Sequence, residues 1–318
     1  MKHLRWLRFP AEASLLFAAA VVLPWAPRRM IVGLAGFLGE AACRMSPGLR
    51  RIARANLDCA FGSSLDERTK DSIMLGSFQN FAMVVLDLFW FSKFTARRLA
   101  AWVRRDPSFA HYTGTAPVIA VTAHLGNWEV MGQMAAFCGA PSMSVAAPIE
   151  NVAVNRWLLR QRARTGQIVV PSRGATKALL GHIRKGGRVA FLLDQNTLPR
   201  DGGVFVPFFG RKALMSRAAS ALSRRTGAPI VMTFSIPERN GSYRVLATEP
   251  WTVEGSSERA DIEACEKLAA EIEGTVRSYP SEWLWSYKRW KYLPEGENSE
   301  SYPFYARSLT REEMGVDQ

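Results

Sequence analysis

From Ala116 onward the chain alternates short β-branched runs with amphipathic stretches, and this alternation restricts the fold more than any other feature. Pro117–Ala123, Met143–Ala147, Gln167–Pro171, Arg188–Asp194, Pro229–Ser235 and Tyr243–Thr248 read as strands. Helical patterns lie between them at Asn155–Arg164, Ala175–Lys185 and Ser216–Gly227, and a last helix spans Ser257–Ser278. Strands separated by helices pair in parallel through crossovers, and the helices cover the sheet faces. The expected fold class is α/β, a largely parallel sheet flanked by helices.

The N-terminal portion has a different grammar. Lys2, Arg5 and Arg8 precede an apolar stretch, Ala11–Trp25, which Arg28 and Arg29 close. That stretch is shorter than the roughly 20 residues a spanning helix needs. A basic start and apolar middle also fit a signal peptide. No small-x-small site leads into a polar mature start, however, and apolar sequence continues through Gly33, Gly36 and Gly39. The expectation is an uncleaved anchor, either a short tilted span or an in-plane helix. Leu49–Leu57, with Arg50, Arg51 and Arg54, reads as a basic amphipathic helix suited to a bilayer surface. Ser64-Leu-Asp-Glu67 has a capping-box pattern that predicts a helix start near Leu65. The apolar stripe from Met74 to Phe89 then reads as core, with a face broad enough near Phe81–Phe91 to meet lipid as well. The chain divides into an anchor (1–30), a helical membrane-facing region (31–105), an α/β catalytic domain (106–293) and a polar, mobile tail (294–318).

A formal charge of +13 favours an anionic partner: nucleic acid, an acidic protein or an anionic membrane face. There is no helix-turn-helix, zinc-finger or RNP signature, no phosphate-cradling or dinucleotide loop, and no GxSxG elbow. The four cysteines form no CxxC pair and read as free thiols in a reducing compartment. The four histidines show no zinc-ligand spacing, so neither a metal nor a cofactor is expected.

The strand Val118–Ala123 ends at His124; Gly126 permits a sharp turn, Asn127 is a good N-cap, and Trp128-Glu-Val-Met begins a helix. On one continuous helix His124 and Glu129 would sit roughly 140° apart. With His124 in the strand-end turn and Glu129 in the first helical turn, they can meet. Histidine can accept a proton from an attacking hydroxyl at neutral pH, and a carboxylate on its other nitrogen would fix the tautomer and balance the imidazolium. Asn127 either caps the helix or touches substrate, and Trp128 either fills core or does the same. Asp194 ends an apolar strand, where it binds substrate at the sheet's carboxyl edge or caps a turn. Arg164 and Arg173 carry the donor fork that suits phosphate or carboxylate. Trp283, Trp285 and Trp290 read as core or interface residues.

The chain resembles the bacterial lipid A biosynthesis acyltransferases, the lauroyl/myristoyl transferase group of the wider lysophospholipid acyltransferase superfamily. Arg54-Ala-Asn-Leu57 with Phe61 is similar to an early family segment, and His124-Leu-Gly-Asn-Trp-Glu129 to the HxxxxE catalytic block. Arg164-Thr-Gly with Arg173-Gly resembles the arginine-bearing block, with Arg160 and Arg162 as alternatives for its key position. Asp194-Gln195, Gly203–Gly210, Pro280–Trp285 and Lys288-Arg-Trp-Lys291 follow in family order, although Tyr287 stands where many members carry histidine. The resemblance implies a glycerolipid acyltransferase-like fold and an enzyme at the cytoplasmic face of the bacterial inner membrane. It also implies transfer from an acyl carrier protein thioester to a hydroxyl of a Kdo-bearing lipid A precursor or related glycolipid. An acidic donor and an anionic acceptor both suit a +13 chain. Left open are a different lipid acceptor, a lipid esterase, which would also use a histidine–carboxylate pair, and a basic protein binding nucleic acid or a membrane surface without catalysis.

Overall fold

The computed structural model describes residues 5–171 and 174–316. Five helices come first: α1 (Arg5–Val22), α2 (Arg28–Met45), α3 (Pro47–Phe61), α4 (Glu67–Trp90) and α5 (Thr95–Trp102). Then come β1 (Val103–Arg105), α6 (Ala110–Thr113), β2 (Val118–Thr122), α7 (Trp128–Phe137), β3 (Ser142–Val145), α8 (Val152–Arg164), β4 (Ile168–Val170), α9 (Ala175–Arg184) and β5 (Arg188–Leu192). A hairpin, β6 (Gly203–Phe208) and β7 (Arg211–Ser216), precedes α10 (Ala218–Thr226), β8 (Ile230–Pro237), β9 (Tyr243–Ala247) and α11 (Glu258–Ser278). Short elements finish the chain: β10 (Tyr292–Leu293), β11 (Arg307–Ser308) and α12 (Arg311–Met314).

The seven-stranded sheet has the order β1-β9-β8-β2-β5-β3-β4, and only the β8–β9 pairing is antiparallel. The expected fold class is therefore observed. β2 lies at its centre and is buried along its whole length, which explains a continuous apolar run with no polar alternation. Its side chains still alternate between two cores. Ile119 and Val121 pack with α9, α10, α11 and the hairpin, whereas Val118 and Ala120 pack with α2, α4, α5 and α7. Both faces of the sheet are thus covered, one of them by the N-terminal helices.

The structure adds detail to the expected boundaries and packing. The helix foreseen near Leu65 starts at Glu67, because Asp66 caps it by accepting from the Thr69 amide at 2.7 Å, while the Ser64 hydroxyl donates back to Phe61 O. The segment 294–316, expected as a polar, mobile tail, makes contacts with the rest of the protein. Tyr302 is buried and accepts from the Lys212 amide at 3.2 Å, β11 pairs with β10, and Arg200 binds Glu312 at 2.6 Å. Its aromatic residues were outweighed in the sequence by the surrounding polar ones. Of the three glycines in α2, only Gly39 makes a close approach: a Cβ there would lie 2.4 Å from Gln79 Cα of α4, whereas Gly33 and Gly36 face open space. Cys43, Cys59 and Cys265 are buried free thiols and Cys138 is half-buried and free, as the spacing suggested.

Candidate active site

β2 and β5 are parallel neighbours in register, Thr122 opposite Leu192. Two residues further along each strand come His124 and Asp194, so the pairing delivers them side by side at the carboxyl edge of the sheet. His124 Nδ1 lies 2.8 Å from Asp194 Oδ1, and the His124 backbone N–H donates to Asp194 Oδ2 at 2.8 Å. Trp283 Nε1 donates to the same Oδ2 at 2.9 Å. The carboxylate is almost wholly buried, 4% exposed, whereas the imidazole retains 17%. Its Nε2 faces outward, with Gln195 Nε2 at 3.4 Å and the Trp128 ring edge-on at 4.8 Å between centroids.

The turn that presents His124 leaves no choice of residue at Gly126. Its φ is +61°, and a Cβ would sit 1.9 Å from Ser235 O. The Gly126 amide donates to Glu282 O and the Asn127 amide to Ser235 O, both at 2.9 Å, and the Leu284 amide donates to His124 O at 3.1 Å. The turn is thus stitched to β8 on one side and to residues 282–284 on the other. Asn127 Oδ1 then accepts from the Val130 amide at 3.0 Å and starts α7.

Burial pushes the Asp194 carboxyl up, but the His124 charge, hydrogen bonds from its ring and backbone, and the Trp283 bond outweigh burial and hold it below the usual carboxylate range. Arg289 is wholly buried in the same neighbourhood. Burial pulls its guanidinium down to about 10, with the negative charge of Asp194 the first of the groups opposing that shift. Glu282 has no cation or hydrogen-bond donor at its carboxyl among the described residues, and burial pushes it up to about 7.

The other expected site residues are distributed as follows. Glu129 does not meet His124. It is buried in a two-pronged ion pair with Arg162 of α8, Oε2 to Nε at 3.1 Å and Oε1 to Nη2 at 2.5 Å. Asp194 occupies the nitrogen that had been assigned to Glu129. The physical reason is sheet pairing: β5 brings a carboxylate directly beside the strand end, while α7 carries Glu129 towards α8. Arg164, two residues and roughly 200° further around α8, is exposed. It reaches Gln161 at 3.4 Å and lines a cleft of about 240 Å³ with Leu88, Gln133 and Phe137. Of the three candidate arginines, Arg162 is therefore the one tied to the motif. Asn127 is fully buried with its amide engaged, so it holds structure and is closed to substrate. Trp128 stays half-buried against the imidazole. Arg173 lies outside the described residues.

Sequence reasoning passed over two contributions. Trp283, read as core, is buried and also braces Asp194. Tyr287, the departure from the family histidine, accepts through its hydroxyl from the Asn196 amide at 3.0 Å and from Asn196 Nδ2 at 3.1 Å, fixing the loop that follows Asp194. Among the described residues no group of three or more His, Cys, Asp or Glu side chains is arranged to hold a metal ion.

A carboxylate-braced imidazole, open to solvent at the carboxyl edge of a parallel sheet, is chemically able to accept a proton from a hydroxyl. The profile of the family described as bacterial lipid A biosynthesis acyltransferase matches residues 1–292. The chain belongs to that family and is an acyltransferase. It is 26% identical over 275 residues to the lipid A biosynthesis palmitoleoyltransferase of Escherichia coli K12, covering 83% of this chain and 87% of the relative. It is 24% identical over 282 residues to the lipid A biosynthesis lauroyltransferase of the same strain, covering 85% and 88%. A lipid A biosynthesis acyltransferase of Shigella flexneri matches at 26% over 275 residues, covering 83% of this chain and 87% of the relative. Among solved structures, the 1-acyl-sn-glycerophosphate acyltransferase of Thermotoga maritima superposes with a TM-score of 0.36 at 16% identity, covering 79% of this chain and 100% of that one.

Proposed function

We propose that this acyltransferase moves a fatty acyl group from an acyl carrier protein thioester to a hydroxyl of a lipid A precursor or related glycolipid, with His124 as general base. Nε2 takes the proton of the acceptor hydroxyl as its oxygen attacks the thioester carbonyl carbon. The tetrahedral intermediate collapses, the C–S bond breaks, and the departing thiolate recovers the proton from the imidazolium. Asp194 keeps the Nδ1–H tautomer in place and balances the transient positive charge. The observation that carries this reading is the 2.8 Å contact between His124 Nδ1 and Asp194 Oδ1, which leaves Nε2 the only ring nitrogen open to substrate. The named activities of the curated relatives support a lipid A-type acceptor, and the +13 charge suits an acidic donor.

The reaction takes place at the cytoplasmic face of the inner membrane. Leu15, Phe17, Trp25, Met30, Phe37 and Met45 of the N-terminal helices are exposed. Lys93 lies 4.5 Å over the Trp25 ring, and Arg29 is exposed. Apolar residues rimmed by tryptophan and cations suit a helix pair lying in the interface. Among the described residues α4 is the one helix long and apolar enough to cross a bilayer, but half of its apolar window is buried inside the protein, and it serves as a core helix.

The test is incubation of purified protein with an acyl carrier protein thioester and a lipid A precursor, followed by mass spectrometry. The wild type is expected to add the mass of one acyl chain and His124→Ala to add none while remaining folded. Free fatty acid with no heavier lipid would show a hydrolase instead, and an active His124→Ala would remove the base from the mechanism.

A further inference from the structure

Arg28 and Asp87 are among the most deeply buried charged residues in the protein, and neither belongs to the site described above. Arg28 opens α2, the helix with the exposed apolar face, and Asp87 lies in the last turn of α4. Arg28 Nη1 binds Asp87 Oδ1 and Nη2 reaches Oδ2 at 3.1 Å, while Nε and Nη2 also donate to Gly241 O at 2.9 and 2.6 Å. The guanidinium lies 4.5 Å over the Trp90 ring. Asp87 Oδ2 accepts from Tyr243 Oη at 2.5 Å and from Asn127 Nδ2 at 3.0 Å, and Asn127 Nδ2 also donates to Tyr243 Oη at 3.0 Å.

The network ends on the residue that caps α7. Asn127 can offer its oxygen to the Val130 amide only while its nitrogen points the other way, and Asp87 and Tyr243 are what hold the nitrogen there. Asn127 lies three residues from His124 and two from Glu129. A helix cap alone needs no carboxylate behind it, and replacing a buried ion pair by apolar residues is often neutral or stabilising. Stability is therefore a poor reason for the pair, whereas fixing one orientation of the catalytic turn is a sufficient one. We propose that Asp87 and Arg28 are positioning residues for the acyl transfer, locking the turn that carries His124 through Asn127 and tying it to α2. This rests on the reading of His124 as base.

The experiment compares kcat and both KM values with melting temperature for the full-length protein and its Asp87→Asn, Tyr243→Phe, Ile272→Val and Arg28→Met/Asp87→Leu variants. A displacement of the reacting group by about 1 Å can lower the rate about 100-fold. Asp87→Asn is therefore expected to lower kcat about 100-fold and Tyr243→Phe about tenfold, with each KM within about threefold of wild type. Ile272→Val, in α11 and outside the Arg28–Asp87–Tyr243–Asn127 network, is expected to lower melting temperature and leave kcat alone. The apolar double variant is expected to regain melting temperature without regaining kcat. If kcat follows only the folded fraction, or returns in the double variant, the pair is structural and the proposal is overturned. Should Asp87→Asn not fold, Tyr243→Phe decides, since it leaves the ion pair intact. An inactive His124→Ala beside network variants of normal kcat would sink this proposal alone. An active His124→Ala would remove the base, and this proposal with it.

Discussion

An imidazole held at Nδ1 by a buried carboxylate has one nitrogen left for chemistry, and in this protein that nitrogen faces a partly open surface beside Trp128. Glu129, although within the same short motif, is committed to Arg162. Removing one member of a buried pair strands the other charge, so either single change should harm the α7–α8 contact and the site it borders. Glu129→Gln and Arg162→Gln are each expected to lower kcat by at least about tenfold, and the double variant to be no worse than the worse single one, because contacting residues are non-additive. A double-mutant cycle on kcat checks this. Additive losses would mean that the two side chains act separately. The assignment of Asp194 as the histidine's partner was not legible from the sequence, where 70 positions separate the two. Its strand-end position was legible, but the adjacency of β2 and β5 belongs to the sheet order, which local patterns do not encode.

At the level of elements, periodicity reported most of the architecture, because strands buried on both faces and amphipathic helices leave plain patterns. His124 at a strand end, Gly126 in the turn and Asn127 at the cap were all readable for the same reason. What patterns could not give was the use made of residues 282–284, which pair along the turn that carries His124, whereas Trp283 read only as a core or interface residue. Glu282 in this segment has a testable consequence. Its folded-state carboxyl is raised to about 7, so the stability it contributes is fully present below its unfolded value near 4.5 and is lost as pH rises through about 7. Glu282→Gln is therefore expected to stabilise the protein at pH 8 by on the order of 2 kcal/mol and to give little change at pH 4.5. Denaturant titrations at the two pH values measure the difference, and an equal effect at both would show that the carboxyl does not titrate as described.

For the molecule as a whole, the N-terminal helices present two different faces. Their inner face completes the core over one side of the sheet, with Ile31 and Ala35 fully buried or nearly so, and their outer face is left apolar and exposed. Ile31 and Ala35 of α2 are thus part of the core that covers the sheet. Substituting outward residues should test the outer face separately. Phe17→Glu/Phe37→Glu is expected to reduce partition onto anionic vesicles at least about tenfold, since each loses an exposed aromatic side chain that could enter the bilayer and gains a repelled charge, without changing melting temperature by more than a few degrees. Sedimentation with vesicles checks the first part and thermal unfolding the second. Undiminished partition would place the membrane-facing surface elsewhere.

The central claim is that the His124–Asp194 pair carries the proton transfer, and the measurement nearest to it is kcat for purified Asp194→Asn. An amide in that position keeps the shape but cannot balance an imidazolium or hold the right tautomer. The expected result is a fall of about 10³- to 10⁴-fold with the fold and both KM values retained. A folded Asp194→Asn enzyme working within about threefold of the wild-type rate would contradict it.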